Sequence, residues 1–272
     1  SVSGWDDPRM PTICGLRRRG YTPTAIRSFS EQIGVAKADS TVEYAFLEHC
    51  LRSDLDSCAN RVMAVLRPVP LTITNYPEGQ RETFQVENHP KNPDMGSHTV
   101  TFSRHLLIEA DDFMEEPVKK YKRLTPGGME CRLKGAYVIT CTGCVKDENG
   151  NVIEVLAEYD PDSKGGNPSD GRKIKGAAIH WVDAAEIRLY DNLFSDAAPD
   201  AGGKDFLTAL NPNSLTVLNG CKLEAALADA VPGASYQFMR TGYFCVDSRD
   251  SKPGSLVFNR SVSLKDSFKE KK

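Results

Sequence analysis

The sequence of 272 residues lacks an excess of charge of either sign and lacks long apolar runs. Thirty-four Lys and Arg residues are balanced by 37 Asp and Glu residues, which gives a formal net charge of −3. This balance excludes a protein that coats nucleic acid through bulk charge, but it is compatible with a local basic face. No apolar run approaches the ~18 residues of a membrane-spanning helix. The first residues also lack the pattern of a signal peptide.

Closely spaced cysteines are scarce as well. The eight cysteines are scattered, and Cys141 and Cys144 form the one close pair. Because residues three apart on a strand point to opposite faces, these thiols would reach one metal ion only if Gly143 broke the strand. We therefore expect reduced thiols, no metal site and a cytoplasmic location.

Catalytic patterns are thin. The sequence has no glycine-rich phosphate loop after a strand, and adjacent acids such as Asp6 and Asp7 diverge on a regular element. Three histidines fall in or beside predicted strands, where structural imidazoles are expected: His89, His98 and His105. We predict no catalytic residue in this chain.

The first 60 residues have helical spacing. Thr22 and Pro23 suit an N-cap and a first helical turn, and Gly34 suits the end of that helix. Ser40 and Glu43 match a capping box, which predicts another helix after it.

From about residue 61 onward, apolar and polar residues alternate in short runs that are separated by turn residues. The strongest hairpin turn is Asp147–Asn151. Many short strands at this spacing predict a mainly β fold with an N-terminal α-helical subdomain, and their number suits two barrels.

Basic residues cluster in this otherwise acidic chain. Lys119, Lys120, Lys122 and Arg123 surround Tyr121. Cations interleaved with aromatic rings are typical of proteins that bind single-stranded RNA, although a mixed-charge surface is the alternative for any single run.

Further basic groups follow. Arg132 and Lys134 lie two residues apart, so on a strand they share one face. A third patch comprises Arg172, Lys173 and Lys175. The run Arg17–Arg19 ends a short helix, where we expect solvated side chains favoured by the helix dipole.

Long words along the chain resemble class I glutaminyl-tRNA synthetases, in order and over nearly the whole length. The words are Gly4–Thr12, Gly15–Gly20, Asn88–Pro90, Met95–Gly96, Tyr121–Leu124, Asp170–Lys173, Ile179–Val182, Glu186–Asp191, Gly242–Cys245, Asp247–Arg249 and Phe258–Arg260. The family's catalytic motifs, of the His-x-Gly-His and Met-Ser-Lys types, are absent. The resemblance therefore implies a C-terminal fragment that is inactive alone, with ATP and Mg²⁺ binding in the missing catalytic domain.

The resemblance also implies the domain organisation. A helical connector that contacts the tRNA stem would span residues 1–60. Two six-stranded β-barrels of the ribosomal protein L25-like type would follow: a proximal one from 61–117 with 187–272, and a distal one from 118–186. The implied partner is glutamine tRNA, bound by a monomer.

The resemblance assigns residues to the three anticodon bases. Arg61, Gln237 and Arg240 match residues that hold the middle base, a uracil. Arg123, with Lys122 beside it, matches the residue that recognises the third base, a guanine. The first base and its phosphate would be contacted by Arg132 and Lys134.

Other positions match contacts to the tRNA backbone or inner corner. Lys120, Lys134 and Lys91 stand where the family has Gln, Arg and Asn, so we expect phosphate contacts from these three cations. The weaker candidates are Lys37, Glu43, Lys91 and Ser267.

Two alternatives remain open at this point. A glutamyl-tRNA synthetase of the barrel-bearing type shares the Gly4–Arg9 segment. A freestanding L25-like module would bind RNA without belonging to a synthetase.

Overall fold

A computed structural model of the chain describes residues 2–35, 41–182, 187–190, 210–218 and 220–268. These residues form two compact units. Unit 1 comprises Ser1–Val62, Ile187–Asn219 and Asp229–Lys272, and unit 2 comprises Met63–Glu186 and Gly220–Ala228. The described part of the chain is mainly β, as predicted, with helices confined to its first 58 residues apart from short 3-10 turns.

Three α-helices lie in unit 1: α1 (Ile13–Arg19), α2 (Pro23–Ile33) and α3 (Tyr44–Cys58). The Thr22 hydroxyl accepts a hydrogen bond from the Ala25 amide at 3.1 Å, which confirms the predicted cap of α2. The predicted capping box of α3 is wrong. The helix begins at Tyr44 after an extended Glu43 that makes no side-chain cap bond, and Ser40 lies outside the described residues.

The run Arg17–Arg19 also differs from the prediction, because only Arg17 is exposed. Arg18 is buried and pairs through Nε with the buried Asp247 carboxylate at 3.0 Å. The Arg19 Nε atom donates to the Arg260 and Ser261 carbonyls. A run of cations at a helix end is thus structural here, since carbonyls and a carboxylate of unit 1 replace water around two of its three members.

The strands follow in chain order. Their bounds are β1 (Asn60–Val62), β2 (Ala64–Val65), β3 (Pro68–Ile73), β4 (Arg81–Glu87), β5 (Ser97–Ser103), β6 (His105–Glu109), β7 (Cys131–Leu133), β8 (Val138–Lys146), β9 (Val152–Tyr159), β10 (Ala178–Ile179), β11 (Trp181–Val182), β12 (Ile187–Tyr190), β13 (Leu215–Leu218), β14 (Lys222–Leu223), β15 (Ser235–Phe238), β16 (Gly242–Val246) and β17 (Phe258–Ser263).

Unit 1 contains a six-stranded sheet in the order β1-β15-β16-β17-β12-β13. β1 runs parallel to β15, whereas β15, β16 and β17 form an antiparallel meander. Helix α3 packs on this sheet because Leu51 and Leu55 are fully buried in one cluster with Tyr243 and Val262. The C-terminal end of α3 directly precedes β1, which carries Arg61.

Unit 2 contains a seven-stranded sheet in the order β10-β7-β8-β9-β3-β6-β11 and two two-stranded sheets, β14-β2 and β4-β5. The predicted hairpin is confirmed: β8 and β9 pair around a turn in which Asp147 Oδ1 accepts the Asn151 amide at 2.8 Å. The core is aromatic, and Phe102 contacts Tyr137 and Trp181 edge to face.

The first and last strands of the seven-stranded sheet are neighbours in sequence. β10 and β11 are separated by His180 alone, and they pair with β7 and β6 respectively. The sheet also joins β3 and β6 to β8 and β9, so the predicted boundary at residue 117 runs through it. Strand pairing does not test where the functional domains divide, so the predicted domain boundaries stay a prediction.

Strand β8 carries an irregularity at the closely spaced cysteines. The register shifts between Cys141 and Gly143, so the strand bulges at the point where a shared metal site would require it. The Cys141 thiol donates instead to the Gly143 carbonyl at 3.6 Å. Among the described residues, no group of three or more His, Cys, Asp and Glu side chains could hold a metal ion.

Candidate nucleic-acid interface

The first group of predicted RNA-binding residues lies in unit 1 on one face of the sheet. Arg61 on β1 is the register partner of Gln237 on β15, and Gln237 is the register partner of Tyr243 on β16. Directly opposed residues on neighbouring strands project to the same face. Arg61, Gln237 and Tyr243 therefore form a row across three strands, which we call the β1 row.

An acidic side chain from α3 contacts both ends of the β1 row. Asp56 Oδ1 accepts a hydrogen bond from Arg61 Nη2 at 2.9 Å and lies 3.4 Å from the Tyr243 hydroxyl. Burial, with the negative charge of Asp56 as a further cause, raises the pKa of Tyr243 to about 12, so its hydroxyl stays protonated at neutral pH. The row thus presents a guanidinium, an amide and a phenol.

Arg240 lies at the turn between β15 and β16. Its backbone has a φ of 65°, in the left-handed region that non-glycine residues seldom adopt. The Thr241 amide closes the turn onto the Phe238 carbonyl at 3.0 Å. The side chain of Arg240 is exposed, three residues beyond Gln237.

The second group lies in unit 2 around Arg123. Arg123 Nη1 donates to the Asp111 carbonyl at 3.0 Å and lies 3.2 Å from Oδ1 of the fully buried Asp112. Tyr121 donates its hydroxyl to the same Asp111 carbonyl at 3.1 Å. Burial, with the charge of Asp112 next in size, raises the pKa of Tyr121 to about 12. One guanidinium nitrogen is therefore held by protein, and the Nε–Nη2 edge is the part suited to a bidentate contact.

Exposed lysines surround Arg123. Lys120 has a φ of 71° and lies in the turn before it, where the Tyr121 amide donates to the Val118 carbonyl. The Lys122 side chain is exposed, while its carbonyl accepts the Ala177 amide at 2.7 Å. Backbone contacts thus fix this segment and leave its ammonium groups in solvent.

Arg132 is more constrained than the sequence indicates. Its Nε donates to the Gly166 carbonyl at 2.7 Å, and its Nη1 donates to the Ile174 carbonyl at 3.5 Å. Two of its nitrogens therefore hold the segment that precedes β10. Lys134 is exposed, and its carbonyl accepts the Trp181 indole N–H at 3.1 Å.

The third basic patch divides into one structural arginine and two exposed lysines. Arg172 pairs with Glu130 at 2.7 Å and with Asp170 at 2.9 Å, and it also pairs with Asp160. Three carboxylates offset the charge of this guanidinium, so Arg172 does not present an uncompensated positive charge. Lys173 and Lys175 are exposed.

The weaker candidates are spread over both units. Glu43 precedes α3 and Ser267 follows β17 in unit 1, and both are exposed. Lys91 is exposed in unit 2, next to the buried His89 whose Nδ1 accepts its amide. Lys37 lies outside the described residues.

Sequence reasoning missed the residues that hold the predicted arginines in place. Asp56, Asp112 and Tyr243 each contact Arg61 or Arg123 or their neighbours, yet none carries a positive charge or lies in a basic run. The available signal was the position of Asp56 five residues before Arg61, at a helix end.

No helix among the described residues is both long and apolar enough to cross a membrane.

Three family models match the chain. Two of them are described as "tRNA synthetases class I (E and Q), anti-codon binding domain", and they match residues 59–160 and 178–247. The model of the catalytic domain of the same family matches residues 1–57. The segment that the sequence reasoning assigned to a connector thus falls within the catalytic-domain model.

Glutamine–tRNA ligases are among the most similar curated proteins. That of Clostridium perfringens is 55% identical over 275 residues, which covers 99% of this chain and 49% of that protein. The Pseudomonas syringae pv. tomato protein is 52% identical over 98% of this chain and 48% of its own length. The chain spans about half the length of the curated relatives it matches. It therefore belongs to the class I glutaminyl-tRNA synthetase family, of which it contains the anticodon-binding region.

Proposed function

We propose that this chain recognises the anticodon of glutamine tRNA as part of a glutamine–tRNA ligase. The observation that carries the proposal is the β1 row, in which Arg61 and Gln237 lie side by side on neighbouring strands although 176 residues separate them in the chain. The proposal is supported by the anticodon-binding models, which match the segment that contains Arg61 and the segment that contains Gln237.

The proposed base contacts follow from the donors and acceptors present. Uracil offers two carbonyl acceptors and one N–H donor on its pairing edge, and the Gln237 amide offers both a donor and an acceptor. The Arg61 and Arg240 guanidinium groups supply further donors for the middle base. Arg123 matches the O6 and N7 acceptors of a guanine at the third position through its Nε–Nη2 edge.

Lysines supply the part of binding that does not depend on sequence. Lys120, Lys122 and Lys134 are exposed, and an ammonium group is a point charge suited to phosphate. Arg132 contributes less to base recognition in this proposal, because backbone carbonyls already use its Nε and Nη1. It retains one nitrogen for the first base or its phosphate.

Two six-stranded barrels of the L25-like type are part of the proposal. In unit 2 it is supported by β10 and β11, which end the strand order on opposite sides and are joined through His180. Counted as one bent strand, they would reduce the seven strands to six, the number that the proposed barrel requires. In unit 1 it is supported by a sheet of six strands.

For the whole protein we propose attachment of glutamine to its tRNA with ATP, as the names of its relatives indicate. ATP and Mg²⁺ would bind in the part of the relatives' length that this chain does not cover. We propose a monomer that works in the cytoplasm. The cysteines support the reducing compartment, because all eight are free thiols and six of them are buried or half-buried.

Titration of the 272-residue chain with glutamine tRNA at two salt concentrations tests the proposal. Three lysine–phosphate contacts predict that log K falls with log salt at a slope of about −2, at ~0.7 per phosphate. A competing tRNA whose anticodon is replaced should bind more weakly at both concentrations. Equal affinity for both tRNAs would contradict anticodon recognition.

A change of the third anticodon base from guanine to cytosine separates the glutamine from the glutamate assignment. Glutamate anticodons end in cytosine, so a glutamyl-type chain would prefer the changed RNA. We expect preference for guanine, because the similar proteins from Clostridium perfringens and Pseudomonas syringae pv. tomato carry the glutamine name.

A further inference from the structure

We infer that Asp56 and Tyr243 are positioning residues that set the geometry of Arg61 and Gln237 for the middle anticodon base. The inference rests on the proposed function and adds two residues to it. We assign neither residue a direct contact with RNA, because Asp56 is an anion and Tyr243 is buried.

The contacts form a closed frame. Asp56 Oδ1 meets Arg61 at one end of the β1 row at 2.9 Å and the Tyr243 hydroxyl at the other end at 3.4 Å. Gln237 lies between them in register and is only 8% exposed. A single carboxylate from α3 thus contacts both outer members of the row, on either side of Gln237.

Anchoring of this kind favours recognition by reducing the freedom that binding must remove. An arginine side chain loses about 0.5–1.5 kcal/mol of rotamer freedom when it is immobilised at an interface. Because Asp56 holds Nη2, much of that ordering exists before RNA binds. The guanidinium group is planar, so fixing Nη2 also restricts the directions of its other N–H donors.

The same contacts contribute little to folding. The Asp56 side chain is 41% exposed in its pair with Arg61, and exposed ion pairs stabilise proteins only weakly. A carboxylate that mattered only for stability would not need to bridge two members of one row. Recognition and stability should therefore respond differently to its loss.

The test measures binding of the 272-residue chain to two anticodon stem-loop RNAs, with the triplets CUG and CCG. The variants are Asp56→Asn and Tyr243→Phe, each compared with a matched control. Glu31→Gln removes an exposed carboxylate of α2, and Tyr236→Phe removes a hydroxyl from the strand position next to Gln237. Urea unfolding of each variant reports stability separately.

We expect Asp56→Asn to lower the preference for CUG over CCG about tenfold, as for a weakened base contact, with an unchanged unfolding midpoint. In an Arg61→Ala background, Asp56→Asn should have a much smaller effect, because Arg61 is the RNA-binding group that its carboxylate contacts directly. Tyr243→Phe should act in the same direction by a smaller factor, and the controls should match the parent chain.

Two results separate the inference from the proposed function. If Arg61→Ala leaves the preference for CUG unchanged, the assignment of the middle base is wrong and the inference falls with it. If Arg61→Ala abolishes the preference while Asp56→Asn does not alter it, or if the two changes are additive, the inference alone is overturned.

Discussion

Replacement of Arg123 by lysine is the sharpest change that the structure offers at the third base. Nη1 of Arg123 is held by the Asp111 carbonyl at 3.0 Å and by Asp112 Oδ1 at 3.2 Å, and the side chain is 36% exposed. The Nε–Nη2 edge, with its parallel N–H groups, remains for the base. Lysine keeps the charge and can keep a pair with Asp112, but it has no such edge.

The magnitude follows from the edge that is lost. A bidentate contact to guanine contributes about 1–3 kcal/mol of discrimination, so Arg123→Lys should reduce the preference for guanine over cytosine by about 5-fold to 150-fold. The total charge is unchanged, so the salt dependence of binding should stay as in the parent chain.

Fluorescence anisotropy with labelled stem-loop RNAs of triplets CUG and CUC measures both quantities. Lys122→Ala is the neighbouring control. It should weaken both RNAs equally and make the salt slope less steep by ~0.7. The reasoning is refuted if Arg123→Lys weakens both RNAs by one factor, because Arg123 would then be a phosphate anchor.

Four further predictions concern the structural contacts and the thiols. Asp247→Asn should destabilise unit 1 by about 3 kcal/mol in urea unfolding, because it leaves the buried Arg18 without its main carboxylate. Burial opposes ionisation of Asp247, but hydrogen bonds lower its pKa overall, so its stabilisation is present above the unfolded pKa of ~3.9 and is lost as pH falls further; a midpoint independent of pH between ~5 and ~2 would contradict this. Arg132→Ala should speed amide hydrogen exchange around Gly166, which its Nε holds, and unchanged exchange would contradict that role. Cys14 is exposed, whereas burial raises the pKa of Cys131 to about 11, so iodoacetamide should modify Cys14 before Cys131, as followed by mass spectrometry; equal rates for these two thiols would contradict the burial of Cys131.

Features of the fold that depend on short-range chemistry could be predicted from the sequence. Thr22 and Pro23 start α2 because a hydroxyl cap and a fixed φ act within one turn. The turn Asp147–Asn151 reverses the chain through its own side-chain hydrogen bonds. The capping box at Glu43 is wrong although its pattern is also local. The helix α3 begins at Tyr44, so Glu43 is the extended residue before the helix, and its side chain makes no cap bond.

Features that depend on distant partners could not be predicted. Nothing near Arg18 in sequence indicates Asp247, which buries and neutralises it from 229 residues away. The same holds for Arg172, whose main carboxylate partner Glu130 lies 42 residues earlier. A basic run indicates positive charge, but only the fold decides which of its members meet water.

The candidate site shows the same limit. The resemblance supplied Arg61 and Gln237, and strand register places them side by side. The acids that hold the arginines could not be found by searching for cations. Their contacts depend on how α3 ends and on the short turn that contains Asp112.

Site-specific crosslinking tests the central claim most directly. A glutamine anticodon stem-loop with 4-thiouridine at the middle anticodon position is irradiated with the 272-residue chain, and the crosslinked peptide is identified by mass spectrometry. The account predicts crosslinks to the peptides that contain Arg61 or Gln237–Arg240. Crosslinks confined to other peptides, or equal yields from a stem-loop with the photoreactive base outside the anticodon, would contradict it.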